Sequence, residues 1–554
     1  MDINGAELIT RHLEREGIAH VVGAHTSAGS NALLPLYRAL ADSKLIHVLA
    51  RHEQGAGFIA QGIARRSGRA GVCMVNAGAG VTQLLPVLAD ANADAVPLVA
   101  ICAQLPTAGG DAAHGVRTGH LVDSISKAHF EIRGIDDLLD VLPEAFRIAE
   151  SDRKGPVLID VPQSVLTERI RLPVLPMPAA REVPEAADAA LFNQAAAMID
   201  AARRPLLLLG DGVAQSQAQA AAVSLLEHAH LPTLMTLLAL GTLPERHPLS
   251  LGLHGAQGAR ASQKLVEDCD LLIAVGYRHD DRATSTARRL APNARRIHIE
   301  LDARELAALA APDLGIVADA GVAFAALAER VRPALRGRWH AQIRALQQQL
   351  AEPETDYDDL RQHPALIRAT AAALGAETTV VADAGEPQTW VAQHYPFMRA
   401  QRWQTSAKLG ASGFGLAAAM GAALASSDSR AVLFCSESSL LINMQELSTL
   451  VDLQLDVKIV VLDSSALGLL RRPQDVLLQR RYIGSLYERP PSLCGIAESF
   501  GLPALDLGLT DKALPRLREA LRQPGPLLIR APIVRPEQAP PLLMQRKADL
   551  ETVH

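Results

Sequence analysis

Short apolar runs and helix-period segments alternate along the whole chain, the pattern of β-strands joined by crossover helices in parallel sheets. The first block, to about residue 175, predicts buried strands at "HVV" (20–22), "GVCMVN" (71–76), "PLVAIC" (97–102) and "PVLIDV" (156–161). A second block runs from the helix around "FNQAAAMIDAA" to the helix "FAALAERVRPAL", with strands at "PLLLLG" (205–210), "LLIAVG" (271–276) and "RIHIEL" (296–301). A third carries "TTVVAD" (378–383), "AVLFCS" (431–436), "KIVVLD" (458–463) and "PLLIRA" (526–531), with a helix expected to begin near Asn443. Between the blocks lie a proline-rich linker, "LPVLPMPAAREVPEAAD" (172–188), and a charged helical joint, "AQIRALQQQLAEPETDYDD". The expected fold class is α/β: three successive doubly wound parallel-sheet domains at 1–175, 190–335 and 355–535, followed by a proline-bearing tail at 536–554.

Composition narrows the function. A length of 554 residues suits three domains, and 49% hydrophobic content with 3% aromatics implies cores built from Ala, Leu and Val. The net charge of −6 is small and no basic stripe stands out, which argues against nucleic acid as a partner. Five scattered cysteines with no CxxC pair read as small buried residues of a reducing compartment. The amphipathic N-terminal helix has no signal-peptide core, and no apolar run reaches the ~18 residues of a membrane span. A cytoplasmic enzyme acting on a small molecule is the expectation.

Several segments, in order and spacing, resemble the thiamine-diphosphate (ThDP) enzymes of the acetolactate synthase branch. "RHEQGAGFIAQGIARRSGRAGVCMVNAGAG" is similar to the family's pyrimidine-binding domain. "LLALGTLPERHPLSLGLHG" and "DLLIAVGYRHDDRATS" are similar to its FAD-bearing middle domain, and "QRWQTSAKLGASGFGLAAAMGAALA" with "NMQELSTLVDLQLDVKIVVLDSSALGLL" to its diphosphate-binding domain. The resemblance implies that Glu53 is the carboxylate that bonds the aminopyrimidine nitrogen, chemistry that needs an acid shielded from water. A helix cap is the plainer use of the same residue. The resemblance also puts Lys127 near the active-site entrance and His114 beside the reacting carbon, where it is a candidate acid or base. It implies a homodimer or homotetramer with active sites between subunits.

The diphosphate corner departs from the family pattern. Glu437 stands at the aspartate position of the metal motif and Ser464 at the asparagine position, 27 residues on, so the spacing survives while the residue types do not. Glutamate is a methylene longer, a serine hydroxyl is a weaker ligand than an amide carbonyl, and Asp463 would substitute only by rotating around its strand end. Ser436 and Ser438 replace glycines, Glu386 and Pro387 replace a glutamine and a histidine at the diphosphate, and Ser412 replaces a methionine under the cofactor. Pro473 replaces an acceptor-selecting tryptophan. On this count ThDP and Mg²⁺ are expected to be doubtful cofactors, with no working metal site at Glu437 and Ser464.

The middle domain keeps more of its pattern. The resemblance assigns FAD contacts to Gly210, Gly212, Thr236, Leu237, His254, Gly255, Gly276, Arg278, Asp280, Arg282, Asp302 and Asp319. The expected function is therefore an FAD-dependent, redox-active enzyme on an acetolactate-synthase-like fold. Two alternatives stay open: a ThDP-dependent 2-oxo acid carboligase or decarboxylase with an adapted metal site, and a non-catalytic partner subunit.

Overall fold

The computed structural model describes residues 1–24, 30–105, 117–178, 180, 188–255, 257–278, 290–307, 311–351, 359–426, 429–508, 510 and 512–533. Three six-stranded sheets, each wholly parallel, follow one another along the chain. The first has the spatial order Ile46–Leu49, His20–Gly23, Gly71–Asn76, Leu98–Gln104, Pro156–Pro162, Ala128–Glu131. The third repeats that order with Trp403–Gln404, Thr379–Ala382, Ala431–Cys435, Val457–Asp463, Leu527–Pro532, Ala504–Asp506. The middle sheet runs Ser250–Leu253, Thr233–Met235, Pro205–Leu209, Leu271–Val275, Arg295–Glu300, Leu314–Val317, the 3-2-1-4-5-6 order of dinucleotide folds. In each sheet the strand order reverses beside its first strand, so the C-terminal ends of the strands flanking that point open a crevice.

All eleven strands expected from apolar runs are present, each within a residue or two of its expected ends. Among the described residues no helix is long and apolar enough to cross a membrane. One hydrophobic cluster runs unbroken from the middle domain into the third, and a second joins the first domain to the third. The second is built around the helices Glu53–Ser67 and Phe414–Leu424. Gly62 lies so near Ala418 O, and Gly421 so near Ile59 O, that a β-carbon on either would force the helices apart. Phe58 and Phe414 meet edge to face at 5.4 Å beside this crossing.

The C-terminal turn of the helix Ala79–Ala93 is gripped by all three domains. Arg65 Nη2 lies 3.0 Å from both Asp90 Oδ2 and Asp94 Oδ2, and both carboxylates are buried. From the third domain, the Ala407 and Lys408 amides donate to Asp94 at 2.9 Å, and the Ser406 hydroxyl donates to Asp90. From the middle domain, Gln215 donates to Asp94 O at 3.3 Å and Arg278 to Ala93 O at 2.7 Å. One guanidinium faces two carboxylates, so burial, and secondarily Asp94, raises the Asp90 carboxyl to about 6.

Two outcomes follow for this cluster. Asp94→Ala leaves the Ala407 and Lys408 amides without their acceptor and Arg65 with Asp90 as its one carboxylate partner, and the thermal midpoint is expected to fall by the equivalent of about 3–5 kcal/mol. For Asp90 the folded pKa lies above the ordinary value of 3.8, so the folded chain binds the extra proton and wild-type stability declines as pH rises from about 4 to about 6. Asp90→Asn lacks that titration. Its thermal midpoint relative to wild type is expected to improve from pH 4.5 to pH 7; a constant difference would contradict the assignment.

Candidate active site

The helix carrying Glu53 starts just after the edge strand Ile46–Leu49 of the first sheet. His52, extended at φ −152° and ψ 145°, caps it by accepting the Gln54 amide on Nδ1 at 3.1 Å. The cap is thus His52, and Glu53 is fully buried at the first helical position. The turn Gly78–Gly80 passes close by, with Glu53 Cγ 3.7 Å from the place a β-carbon of residue 80 would take. Lys127 lies elsewhere. Its ammonium donates to Ser151 O at 2.7 Å and to Ile148 O, closing the end of the helix Asp137–Glu150. His114 falls outside the described residues.

In the third domain a cavity of about 250 Å³ opens at the ends of the strands Thr379–Ala382, Ala431–Cys435 and Val457–Asp463. Its wall includes Gly385, Glu386, Ser412, Ser436, Ser464 and Gly468. A short helix, Glu437–Ile442, begins directly at the corner because Ser436 Oγ accepts the Ser439 amide. The helix expected near Asn443 is instead a second one, Glu446–Asp452, and Asn443 breaks the two by donating to Gly413 O at 2.8 Å.

Glu437 is almost wholly buried across this corner. Its Oε1 accepts the Ala466 amide at 3.0 Å, while Oε2 is buried and meets no partner within hydrogen-bonding geometry. Burial raises its carboxyl to about 7, helped by the Asp463 charge and opposed by backbone amides. Ser464 Oγ donates to Ala466 O at 3.3 Å. Asp463 is no substitute ligand, because Arg530 holds it at 2.7 Å. Glu386 opens the helix Glu386–His394 after Gly385 (φ +114°), and its carboxylate lies against Gly468, the first residue of the helix Gly468–Leu477. A β-carbon at residue 468 would overlap Glu386 Oε2. Sequence reasoning missed Asp383 as a site residue, although it ends one of the expected strands. It is buried, accepts the Ala384, Gly413 and Gly415 amides at 2.8, 3.1 and 3.0 Å, and burial raises it to about 7.

The middle sheet ends in a larger cleft of roughly 880 Å³ against the first domain. Gly210, Gly212 and Gly276 meet there backbone to backbone, so their missing side chains are already explained by packing. Arg278 pairs with Asp211, and Asp302 is held by Arg304 at 2.7 Å. Asp319 caps the helix Ala320–Ala328 through the Gly321 amide at 2.8 Å. Thr236, Leu237 and His254 line a small adjoining pocket, with Gly255 following at φ +110°. His254 is buried with neither ring nitrogen partnered, and burial lowers it to about 4. Glu300, unmarked by any sequence signal beyond closing a strand, lines the cleft with Oε2 unpartnered. Burial, then Asp211, raises its carboxyl to about 7. Asp280 and Arg282 fall outside the described residues.

Comparison with known proteins bears on both clefts. Three family models match in order: the N-terminal TPP binding domain of thiamine pyrophosphate enzymes over residues 3–127, their central domain over 192–327, and their C-terminal TPP binding domain over 383–531. The chain is 40% identical to the acetolactate synthase isozyme 1 large subunit of Escherichia coli, over 99% of this chain and 97% of that protein. It is 33% identical to the isozyme 2 large subunit of the same organism, over 98% and 97%. It is likewise 33% identical to a probable acetolactate synthase large subunit of Methanocaldococcus jannaschii, over 98% and 93%.

These matches overturn the expectation that ThDP and Mg²⁺ are doubtful cofactors. The C-terminal match spans every substituted position, Glu386, Ser412, Glu437 and Ser464 included. The expectation failed because it scored each side chain alone. The folded corner gathers the Glu437 carboxylate, the Ser464 hydroxyl and the Ala466 carbonyl, an all-oxygen donor set of the kind a hard cation takes. A buried carboxylate oxygen without a partner is the vacancy in hydrogen bonding that such a cation fills, so the residues fit the group. The redox reading centred on a flavin gains no support either, since all three relatives are named as synthases and not as oxidoreductases. By sequence, fold and domain order, the chain belongs to the acetolactate synthase branch of the thiamine-diphosphate enzymes.

Proposed function

We propose that the chain is a ThDP-dependent 2-oxo acid carboligase or decarboxylase of the acetolactate synthase type, with an adapted metal corner. The observation that carries this reading is the buried Glu437 Oε2, unpartnered beside oxygen donors at the strand ends of the third domain. Glu437, Ser464 and the Ala466 carbonyl would hold the metal, and the hydroxyl-lined cavity the diphosphate. When bound, ThDP supplies a nucleophilic carbon that lets a 2-oxo acid lose CO₂ and its remainder join a second carbonyl compound. The chain's own part is proton handling and exclusion of water. Glu53, buried behind the Gly78–Gly80 turn, holds the proton at the aminopyrimidine nitrogen. Leu469 and Leu470 give the cavity an apolar edge.

Protein incubated with ThDP and Mg²⁺, desalted and denatured should release close to one ThDP per chain; a folded preparation that releases none would overturn the reading. Glu53→Gln should keep the cofactor yet lose about 10²–10⁴-fold in turnover of a 2-oxo acid, the range of general acid–base catalysis. Unchanged turnover would remove Glu53 from the mechanism.

Glu386 works against the diphosphate. A carboxylate about 4 Å from a phosphate oxygen costs up to about 4 kcal/mol at an effective dielectric near 20. Glu386→Gln is therefore expected to lower the calorimetric Kd for ThDP with Mg²⁺ by at least about tenfold, roughly a third of that ceiling. An equal or weaker affinity would show that the carboxylate turns away or itself helps to bind.

A further inference from the structure

We propose that Glu446, in the third domain, is a positioning residue for Glu53 in the first domain of the same chain. Glu446 is fully buried at the start of the helix Glu446–Asp452. Its two oxygens lie 3.0 and 3.2 Å from the Arg51 amide nitrogen. On the other side of Glu53, Gly55 leaves space for the same carboxylate. A β-carbon at residue 55 would overlap it, with Glu446 Cγ only 2.9 Å away. Arg51 and Gly55 stand two residues to either side of Glu53, so one carboxylate braces both flanks of the catalytic position.

The surrounding contacts make the brace rigid. The Thr449 hydroxyl lies 3.0 Å from Glu446 Oε2 and 3.1 Å from Leu49 O. The Arg51 guanidinium reaches Ser448 Oγ at 3.2 Å and pairs with Asp452. A carboxylate at the first turn of the 15-residue helix Glu53–Ser67 is also where the helix field favours negative charge and where amides lack helical acceptors. The same segment continues to the cavity wall: Asn443 holds Gly413 O, and the Gly413 amide donates to Asp383. Glu446 thereby ties the height of Glu53 to the strand ends of the third domain. Placement matters because a misplacement of about 1 Å can cost about 10²-fold in rate.

This inference rests on the reading that Glu53 handles the cofactor's proton. The test uses the full-length protein in its native oligomeric state, with Glu446→Ala, Glu446→Gln, Gly55→Ala and Glu53→Gln compared with wild type. Amide hydrogen exchange is followed across residues 50–57, with the strand Pro205–Leu209 as internal reference. Turnover of pyruvate is measured per bound ThDP. Glu446→Ala should speed exchange at 50–57 by about tenfold or more while leaving the reference strand unchanged. Its kcat should fall by about 30-fold or more with KM held within about twofold. Glu446→Gln keeps an acceptor for the Arg51 amide and should restore kcat to within about threefold of wild type. Gly55→Ala, which crowds the carboxylate from the other side, should reproduce Glu446→Ala and carries the test if that variant does not fold. A lowered thermal midpoint with kcat per bound ThDP unchanged would make Glu446 merely structural and overturn the proposal. If Glu53→Gln is inactive while Glu446→Ala and Gly55→Ala turn over normally, the positioning role alone falls. If Glu53→Gln stays active, both it and the catalytic reading fall.

Discussion

The relative placement of the domains depends on two carboxylates sharing one guanidinium. Asp90 and Asp94 end a helix of the first domain, and Arg65 holds them together at 3.0 Å. Neither charge is stable alone in so buried a place, and removing one partner of such a group is far costlier than the group is worth in isolation. Because the remaining lone pairs are taken by amides and a hydroxyl of the third domain, the first and third domains cannot separate without leaving them unsatisfied. The middle domain joins through carbonyls at the same helix end, where cations are favoured: Arg278 takes Ala93 O. Three sheets with three switch-point crevices are thereby locked in one arrangement.

Backbone-close packing supplies the second constraint. The crossing of Glu53–Ser67 over Phe414–Leu424 at Gly62 and Gly421 leaves no slack for sliding, since each glycine faces a carbonyl of the other helix. Glu53 heads the first of these helices, and the third-domain cavity lies beyond the start of the second. Glu53 on one domain and the hydroxyl-lined cavity on another therefore sit on two ends of one rigid pair. The relative placement of these two regions comes from helix packing as much as from hydrogen bonds.

The interior of the fold was legible because central parallel strands are buried on both faces and appear as unbroken apolar runs. What escaped were the edges. Ile46–Leu49, Ala128–Glu131, Ser250–Leu253, Leu314–Val317, Trp403–Gln404 and Ala504–Asp506 all border a sheet, and Thr233–Met235 lies one place in. They are short and most carry a polar or exposed residue, so their apolar signal is weak. The shared strand order of the first and third domains was equally invisible, because topology lies in connections and not in residue identity. At the candidate site, Glu53 and Glu437 each open a helix and Ser464 follows a strand end, although the helix at Glu437 begins six residues before the expected start near Asn443. The backbone of Ala466, which meets both Glu437 and Ser464 at this corner, is what no side-chain comparison reveals.

The same distinction separates motif from site in the middle domain. Its glycines look directed at a ligand, yet Gly210, Gly212 and Gly276 are consumed by contact with one another, and Arg278 by Asp211. Asp319 and Asp302 are likewise spent on a helix cap and an ion pair. Unfinished chemistry belongs to His254, which the resemblance did name, with two bare ring nitrogens, and to Glu300, which it did not, with a bare oxygen; both are buried. Burial keeps His254 neutral and moves Glu300 toward its neutral form at ordinary pH, so each offers polar contact without the full cost of an uncompensated charge. Residue identity alone placed His254 level with satisfied groups such as Arg278 and Asp319 and passed over Glu300; hydrogen bonding separates the two kinds.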